Sequence, residues 1–184
     1  MSDNPNISRM VIKNPAAPPE KGELTRLDKG ILFAIRSHAG QMDRDGSPHI
    51  FHSLRVMERV RAAGGDEDLQ IAAVLHDVIE DTNPYVAPNE GPTALPTGEG
   101  LAGVQREDIA RRFGDRVADA VVGVSRNSGE VYADFVKRAA SKADSRFIKF
   151  HDVHDNLARS LAQGDKIASR YVKALGIIEA TEVA

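Results

Sequence analysis

Six residues of this chain have types and spacings that suit a divalent metal site: His52, His76, Asp77, Glu80, Asp81 and Asp152. The stretch Ile71-Ala-Ala-Val-Leu-His-Asp-Val-Ile-Glu-Asp-Thr82 reads as a buried helix, apolar almost all round, yet it ends in an imidazole and three carboxylates. A charge buried without a partner costs several kcal/mol, and one cation partners all four groups together. On a helix His76 and Glu80 share a face, as do Asp77 and Asp81, each pair four residues apart. His76 and Asp77 diverge by about 100°, so both reach one ion only if it lies between their directions. Further ligands must then come from other helices. His52, on the preceding helix, is the first candidate. Asp152 is the second, with Asn156 one turn beyond it. Two imidazoles and two carboxylates suit Mn, Fe, Co or Zn better than Ca.

The elements that must position these residues follow from hydrophobic periodicity. Leu27, Ile31, Leu32, Ala34 and Ile35 are spaced for one helix, ending at His38-Ala-Gly40, before a polar turn that contains Asp43 and Arg44. A second helix starts near His49, carries Leu54, Val56, Met57 and Val60 inward, and stops at Gly64-Gly65. Asp66 or Asp68 caps the third. Helical pattern resumes over residues 106–113, 115–124, 131–143, 146–161 and 164–181, and no stretch alternates like a strand. The expected fold class is all-α: a compact multi-helix bundle of residues 23–184 around a single metal site. The proline-broken residues 1–22 are expected to be a disordered tail, and residues 83–103 a long loop.

Composition narrows the function. The 184 residues carry 24 Lys and Arg against 27 Asp and Glu, a net charge of −3, which argues against a nucleic-acid partner. There is no cysteine, which removes disulfides and thiolate metal sites and fits a reducing compartment. With no apolar run of membrane-spanning length and no signal-peptide core at the start, a cytoplasmic location without membrane contact is expected. A homo-oligomer is left open.

The order His52, then His76-Asp77, then a distant Asp152 resembles the metal-binding pattern of the HD-domain phosphohydrolases. More narrowly, four segments resemble the hydrolase domain of the alarmone (p)ppGpp hydrolases, the RelA/SpoT and Mesh1-like group. They are His38-Ala-Gly-Gln41, Gly46-Ser-Pro-His-Ile-Phe-His52, Leu75-His-Asp-Val-Ile-Glu-Asp-Thr82, and Ile148-Lys-Phe-His-Asp152 followed by Asn156. The resemblance implies one Mn2+ held by His52, His76, Asp77 and Asp152. It implies that Glu80 and Asp81 position and activate the attacking water, and that Arg44 and Asn156 contact a nucleotide substrate. The reaction implied is guanosine-3′,5′-bis(diphosphate) 3′-pyrophosphohydrolysis, giving GDP and pyrophosphate.

The chain also departs from that family. An Arg-Lys pair usual there is Asp43-Arg44, a Tyr is His49, a Pro is Ser53, and an acidic Thr-Asp segment is Ser125-Arg126. The catalytic shell is kept while the substrate shell is changed, so two alternatives stand beside the first reading. One is the same chemistry on a different nucleotide or phosphate ester, the other a non-catalytic nucleotide sensor. Elsewhere, His151, His154 and Asp155 read as surface or outer-shell residues, His38 as a packed helix-end residue, and Arg138 and Lys142 as a solvated face. Lys149 is divided between balancing carboxylates and touching phosphate.

Overall fold

The computed structural model describes residues 22–81 and 103–183. The expected tail, residues 1–22, and long loop, residues 83–103, lie outside the described residues except for Gly22 and Gly103. Among those described there are nine helices in the order α1 (Arg26–Ser37), α2 (Ile50–Ala62), α3 (Glu67–Val74), α4 (Val78–Asp81), α5 (Arg106–Phe113), α6 (Asp115–Val124), α7 (Tyr132–Ala140), α8 (Ala143–Ala162) and α9 (Ala168–Ala180). The one β-type pairing among them is an isolated antiparallel bridge between Met42 and Pro48, which closes the turn between α1 and α2. The all-α expectation holds.

The helices start where the sequence supplies caps. Thr25 and Asp28 form a reciprocal capping box, the Thr25 hydroxyl accepting the Asp28 N–H at 3.0 Å and the Asp28 carboxylate accepting the Thr25 N–H at 2.8 Å. At α3 the cap is Asp66, which accepts the Leu69 N–H at 3.0 Å. Two hydrophobic clusters result. The larger joins α1, α2, α3, α5 and α6 through residues such as Phe33, Val56, Val60, Ile71, Val117 and Val121. The smaller joins α7, α8 and α9 through Val136, Ala140, Val153, Ala174 and Ile178. Helix α8 belongs to both, with Ile148 in the first and Val153 in the second. Gly30 lets α1 lie close on α3, since a β-carbon there would stand 3.2 Å from Ile71 Cγ2.

Four boundaries or faces differ from the sequence expectation. Ile35, expected inside, is 37% exposed, and Phe33 is buried instead. Helix α7 stops at Ala140 and α8 begins at Ala143, because the Ser145 hydroxyl takes the Ala139 carbonyl at 2.7 Å and folds the chain between them. Helix α9 begins at Ala168, not near residue 164, because Gly164 sits at φ +66° and the Asp165 carboxylate accepts the Ile167 N–H at 3.0 Å, making a turn. The fourth difference bears on the site. The helix expected over residues 71–82 is interrupted after Val74 and resumes only for Val78–Asp81.

Candidate metal centre

The interruption has a visible cause. The His76 ring turns back on its own helix and its Nδ1 lies 2.8 Å from the Ala73 carbonyl, the oxygen that an unbroken helix would offer to the Asp77 N–H. His76 and Asp77 therefore sit in a turn, and their side chains need not diverge as neighbours on a helix must. The His76 and Asp77 carboxylate–imidazole distance is 3.0 Å from Nε2 to Oδ2.

His52, from the first turn of α2, and Asp152, from the middle of α8, complete the group. His52 Nε2 is 3.2 Å from Asp152 Oδ1 and 3.7 Å from Asp77 Oδ2, and His76 Nε2 is 3.7 Å from Asp152 Oδ1. His52, His76 and Asp152 form one group able to hold a metal ion, all nearly inaccessible to solvent at 3%, 1% and 4% exposed, while Asp77, close to both imidazoles, groups with His49 and Asp81. The donor atoms face one another because the other side of each ring is tied. His52 Nδ1 lies 2.9 Å from an oxygen of Asp155, just as His76 Nδ1 lies against Ala73. Each bond fixes the tautomer with its proton on Nδ1, which leaves the Nε2 lone pair directed inward. His76 Nε2 is buried with no hydrogen-bonded partner. A buried orphan acceptor beside two carboxylates is what a divalent cation satisfies, so the residues fit a metal.

The electrostatics agree. Burial pulls the His76 pKa down, but Asp77 and Asp152 outweigh it and hold it well above the ordinary imidazole value. Asp152 resists burial in the same way, held well below the carboxylate range by Lys149, His52 and His76. Without a cation the four groups neutralise one another with protons. A metal replaces those protons.

Around this centre lies a cavity of about 210 Å³, with Asp43, His49, Glu80, Arg126, Lys149 and Arg159 on its walls, together with Tyr132, Asn156, Arg170 and Tyr171. Glu80 faces it, and one of its oxygens accepts the Arg126 backbone N–H at 2.6 Å. Burial pushes the Glu80 pKa up to about 7, reinforced by the charge of Asp77 and opposed by the Arg126 N–H. Asp81 stands apart from that wall, grouped with His49 and Asp77 so that one polar atom from each lies within 4.8 Å of the others. Burial, then Asp77, raises its pKa. Its backbone carbonyl accepts the Gln41 side-chain amide. The two acids expected to act together thus stand differently towards the cavity.

The expected substrate contacts fare unequally. Asn156 lines the cavity and donates to Asp152 Oδ1 at 2.5 Å. Arg44 does not reach it: its side chain is 82% exposed and its nearest acid is Asp165 at 4.0 Å. The turn between Met42 and Pro48 points that side chain outward. Asp43, its neighbour, points inward, where it meets both His49 Nδ1 at 2.9 Å and Arg159 Nη2 at 2.7 Å. Its charge is answered by two cationic groups, so it does not face a substrate as a bare acid. His49 in turn reaches Asp77 at 3.3 Å, and Asp77 and Asp43 raise its pKa to about 9 against the opposing effect of burial.

Sequence reasoning left out Arg159, Arg170 and Tyr132, and gave Lys149 two roles. Lys149 is buried, donates to Asp152 Oδ2 at 2.8 Å and stands 4.2 Å from the centre of the Phe135 ring, so it balances a carboxylate. A signal was present: residues 149, 152, 156 and 159 step by three, four and three, one face of one helix. Arg138, expected on a solvated face, is instead half-buried and bound to Glu130 at 2.7 Å and to the Ser125 carbonyl at 2.7 Å. Asp155 proves to be an outer-shell residue and His38 a packed one, its Nδ1 2.8 Å from Gln41. No helix among the described residues is long and apolar enough to cross a membrane.

Known proteins resemble this chain in sequence and fold. The chain is similar to guanosine-3′,5′-bis(diphosphate) 3′-pyrophosphohydrolase of Aquifex aeolicus, with 29% identity over 139 residues, covering 71% of this chain and 17% of that protein. A protein of the same name from Borreliella burgdorferi is 24% identical over 166 residues, covering 89% of this chain and 18% of the relative. This chain therefore spans less than a fifth of the length of those curated relatives. Among solved structures, the fold is similar to that of a metazoan ortholog of SpoT described as hydrolysing ppGpp, with a TM-score of 0.63, 22% identity, and 86% and 88% of the two chains covered. The HD-domain family model matches residues 31–147, well over half of the chain. The chain belongs to the HD-domain family.

Proposed function

We propose that the chain is a metal-dependent phosphohydrolase acting on a phosphorylated nucleotide, and that its reaction is guanosine-3′,5′-bis(diphosphate) 3′-pyrophosphohydrolysis. The observation that carries this is the convergence of His52, His76, Asp77 and Asp152, with both imidazoles tied back through Nδ1 so that Nε2 faces the two carboxylates. The relatives named for this reaction support the choice of substrate.

A divalent ion held by these four residues, for which the donors suit Mn, Fe, Co or Zn and the family resemblance favours Mn2+, would supply Lewis acidity at the phosphoryl oxygens. The chain's own groups do the rest. Glu80, with a pKa near 7, is part ionised at neutral pH and takes the proton of the attacking water. Asp81 orients that water from the side of His49 and Asp77. The water oxygen joins the phosphorus next to the ribose, the bond from that phosphorus to the 3′ oxygen breaks, and the 3′ oxygen leaves as a hydroxyl. GDP and pyrophosphate result. Lys149 keeps Asp152 ionised and fixed, and Asn156 holds the same carboxylate from the next turn while facing the nucleotide. A nucleotide substrate supports a cytoplasmic location.

The test is release of pyrophosphate and GDP from ppGpp by Mn2+-loaded protein, abolished by chelation. No product with Mn2+, Co2+ or Zn2+ removes this substrate. The outward turn of Arg44 favours one second reading, the same chemistry on another phosphate ester. A panel of nucleotides and phosphate esters separates the two.

A further inference from the structure

The cavity beside the metal cluster is lined along α8 by a row of polar residues whose far end is Arg159. It lies seven positions after Asp152, about 10 Å along the helix axis at 1.5 Å per residue. Its guanidinium is not free to wander. Asp43 holds Nη2 at 2.7 Å, Asp45 stands 3.4 Å from the same nitrogen, and Asp43 is itself fixed by His49 at 2.9 Å. A guanidinium has five N–H donors in a rigid fork, and these carboxylates engage one nitrogen of it. The side chain is 21% exposed and lines the cavity. Arg170 lines the same cavity from α9, stacked 3.6 Å above the Tyr132 ring, with no carboxylate within ion-pair distance among the described residues. Two guanidinium groups therefore line the cavity, and Arg159 is fixed in place by its carboxylate partners.

We propose that Arg159, held in place by Asp43, is a specificity-determining residue that contacts a second anionic group of the substrate. The class of substrate selected is a nucleotide bearing two separate phosphoryl groups, one for the His/Asp cluster and one for Arg159. This rests on the phosphohydrolase reading of the same site. It gives Asp43 a definite task, since an acid that anchors a cation assists an anionic substrate where an unpaired acid repels it. It also moves the anion contact from the turn, where Arg44 points to solvent, to α8.

The experiment compares wild type with Arg159→Gln, Arg159→Lys, Asp43→Asn and Arg44→Gln, all Mn2+-loaded. Affinity is measured by calorimetry for ppGpp and for guanosine 3′-diphosphate, which lacks the 5′ group, and steady-state kinetics are run on ppGpp. Arg159→Gln is expected to weaken ppGpp binding and raise its KM by about 10- to 100-fold, the worth of a charge-assisted pair, with kcat within about threefold. Binding of guanosine 3′-diphosphate should change less than about twofold, as expected when only the missing group is sensed. Arg159→Lys recovers part of the loss, Asp43→Asn shows a smaller loss in the same direction, and Arg44→Gln matches wild type. Equal losses for both ligands, or an Arg44→Gln defect as large as that of Arg159→Gln, overturn the assignment. So does wild-type protein that binds no ppGpp. Wild type that binds ppGpp without hydrolysing it removes the hydrolase reading, and the two calorimetric titrations then decide Arg159 alone. Hydrolysis that survives Arg159→Gln with an unchanged KM removes the assignment and leaves the hydrolase reading standing.

Discussion

His52 and Asp155, 103 positions apart in sequence, meet at 2.9 Å inside the protein, and the same carboxylate accepts Arg55 Nε at 3.0 Å. The contact sets which ring nitrogen of His52 carries the proton. Replacing Asp155 by Ala is expected to weaken Mn2+ binding by about 10- to 100-fold, the usual cost of losing an outer-shell partner. Asp155→Asn keeps an acceptor and should lose less. Titration of each protein with Mn2+ checks this, and an unaltered affinity in Asp155→Ala would show that His52 needs no such support.

Metal and fold should also be linked. Asp77→Ala and Asp152→Ala are expected to abolish stoichiometric metal uptake, read by elemental analysis after gel filtration. For wild type, a metal at 100 times its dissociation constant adds about 2.7 kcal/mol of stability. In a domain of this size that is about 5–10 °C in Tm. The His52 and His76 imidazoles hold their protons to higher pH than a free imidazole does, and the metal must displace them. Affinity should therefore strengthen as pH rises. Calorimetry at several pH values, with proton release counted from buffers of different ionisation enthalpy, reads this directly.

Glu80 gives a pH signature of its own. With a folded-state pKa of about 7, it is a base above that pH and an acid below it, so turnover should fall as pH drops through 7. Glu80→Gln should lose that limb and slow turnover by about 10²- to 10⁴-fold. The stability effect has the opposite sense. A carboxyl whose pKa rises on folding from 4.5 favours the folded state below 4.5, and this contribution is lost as pH climbs through 7. Glu80→Gln should then be more stable than wild type at pH 8 and equal to it below about 4.5, as thermal melts would reveal.

Far from the chemistry, Gly123 marks where α6 touches α8. A β-carbon there would stand 2.7 Å from Ser145 Cβ and 3.0 Å from its Oγ, and Ser145 cannot yield because its hydroxyl is bound to the Ala139 carbonyl. Gly123→Ala should lower stability by about 1–3 kcal/mol through overpacking. Its effect should appear in chemical denaturation while metal affinity stays at the wild-type value.

The residues that sequence made legible are those whose partners are implied by chemistry. His52, His76, Asp77 and Asp152 are costly to bury alone, so their types point to a shared cation, and the structure gathers three of them into one group with Asp77 beside both imidazoles. The helix start at Asp66 was readable because a cap acts within three residues. What stayed hidden depends on contacts across the fold. Nothing local to Asp43 reveals that Arg159, 116 positions later, neutralises it, nor that Arg44 beside it faces solvent. Periodicity extended the third helix through residue 82, because it registers side-chain polarity and is blind to a ring nitrogen competing for a backbone carbonyl.

That competition divides the two imidazoles by how they can change over evolutionary time. The orientation of His52 depends on a side chain, so a single codon change at Asp155 can loosen or retune it. His76 is oriented by the Ala73 carbonyl, an atom of the main chain that every amino acid carries. One imidazole is adjustable and the other is locked by the backbone itself. Drift in metal preference among descendants of this chain should therefore be recorded on α8, at residue 155, and not in the turn that holds His76.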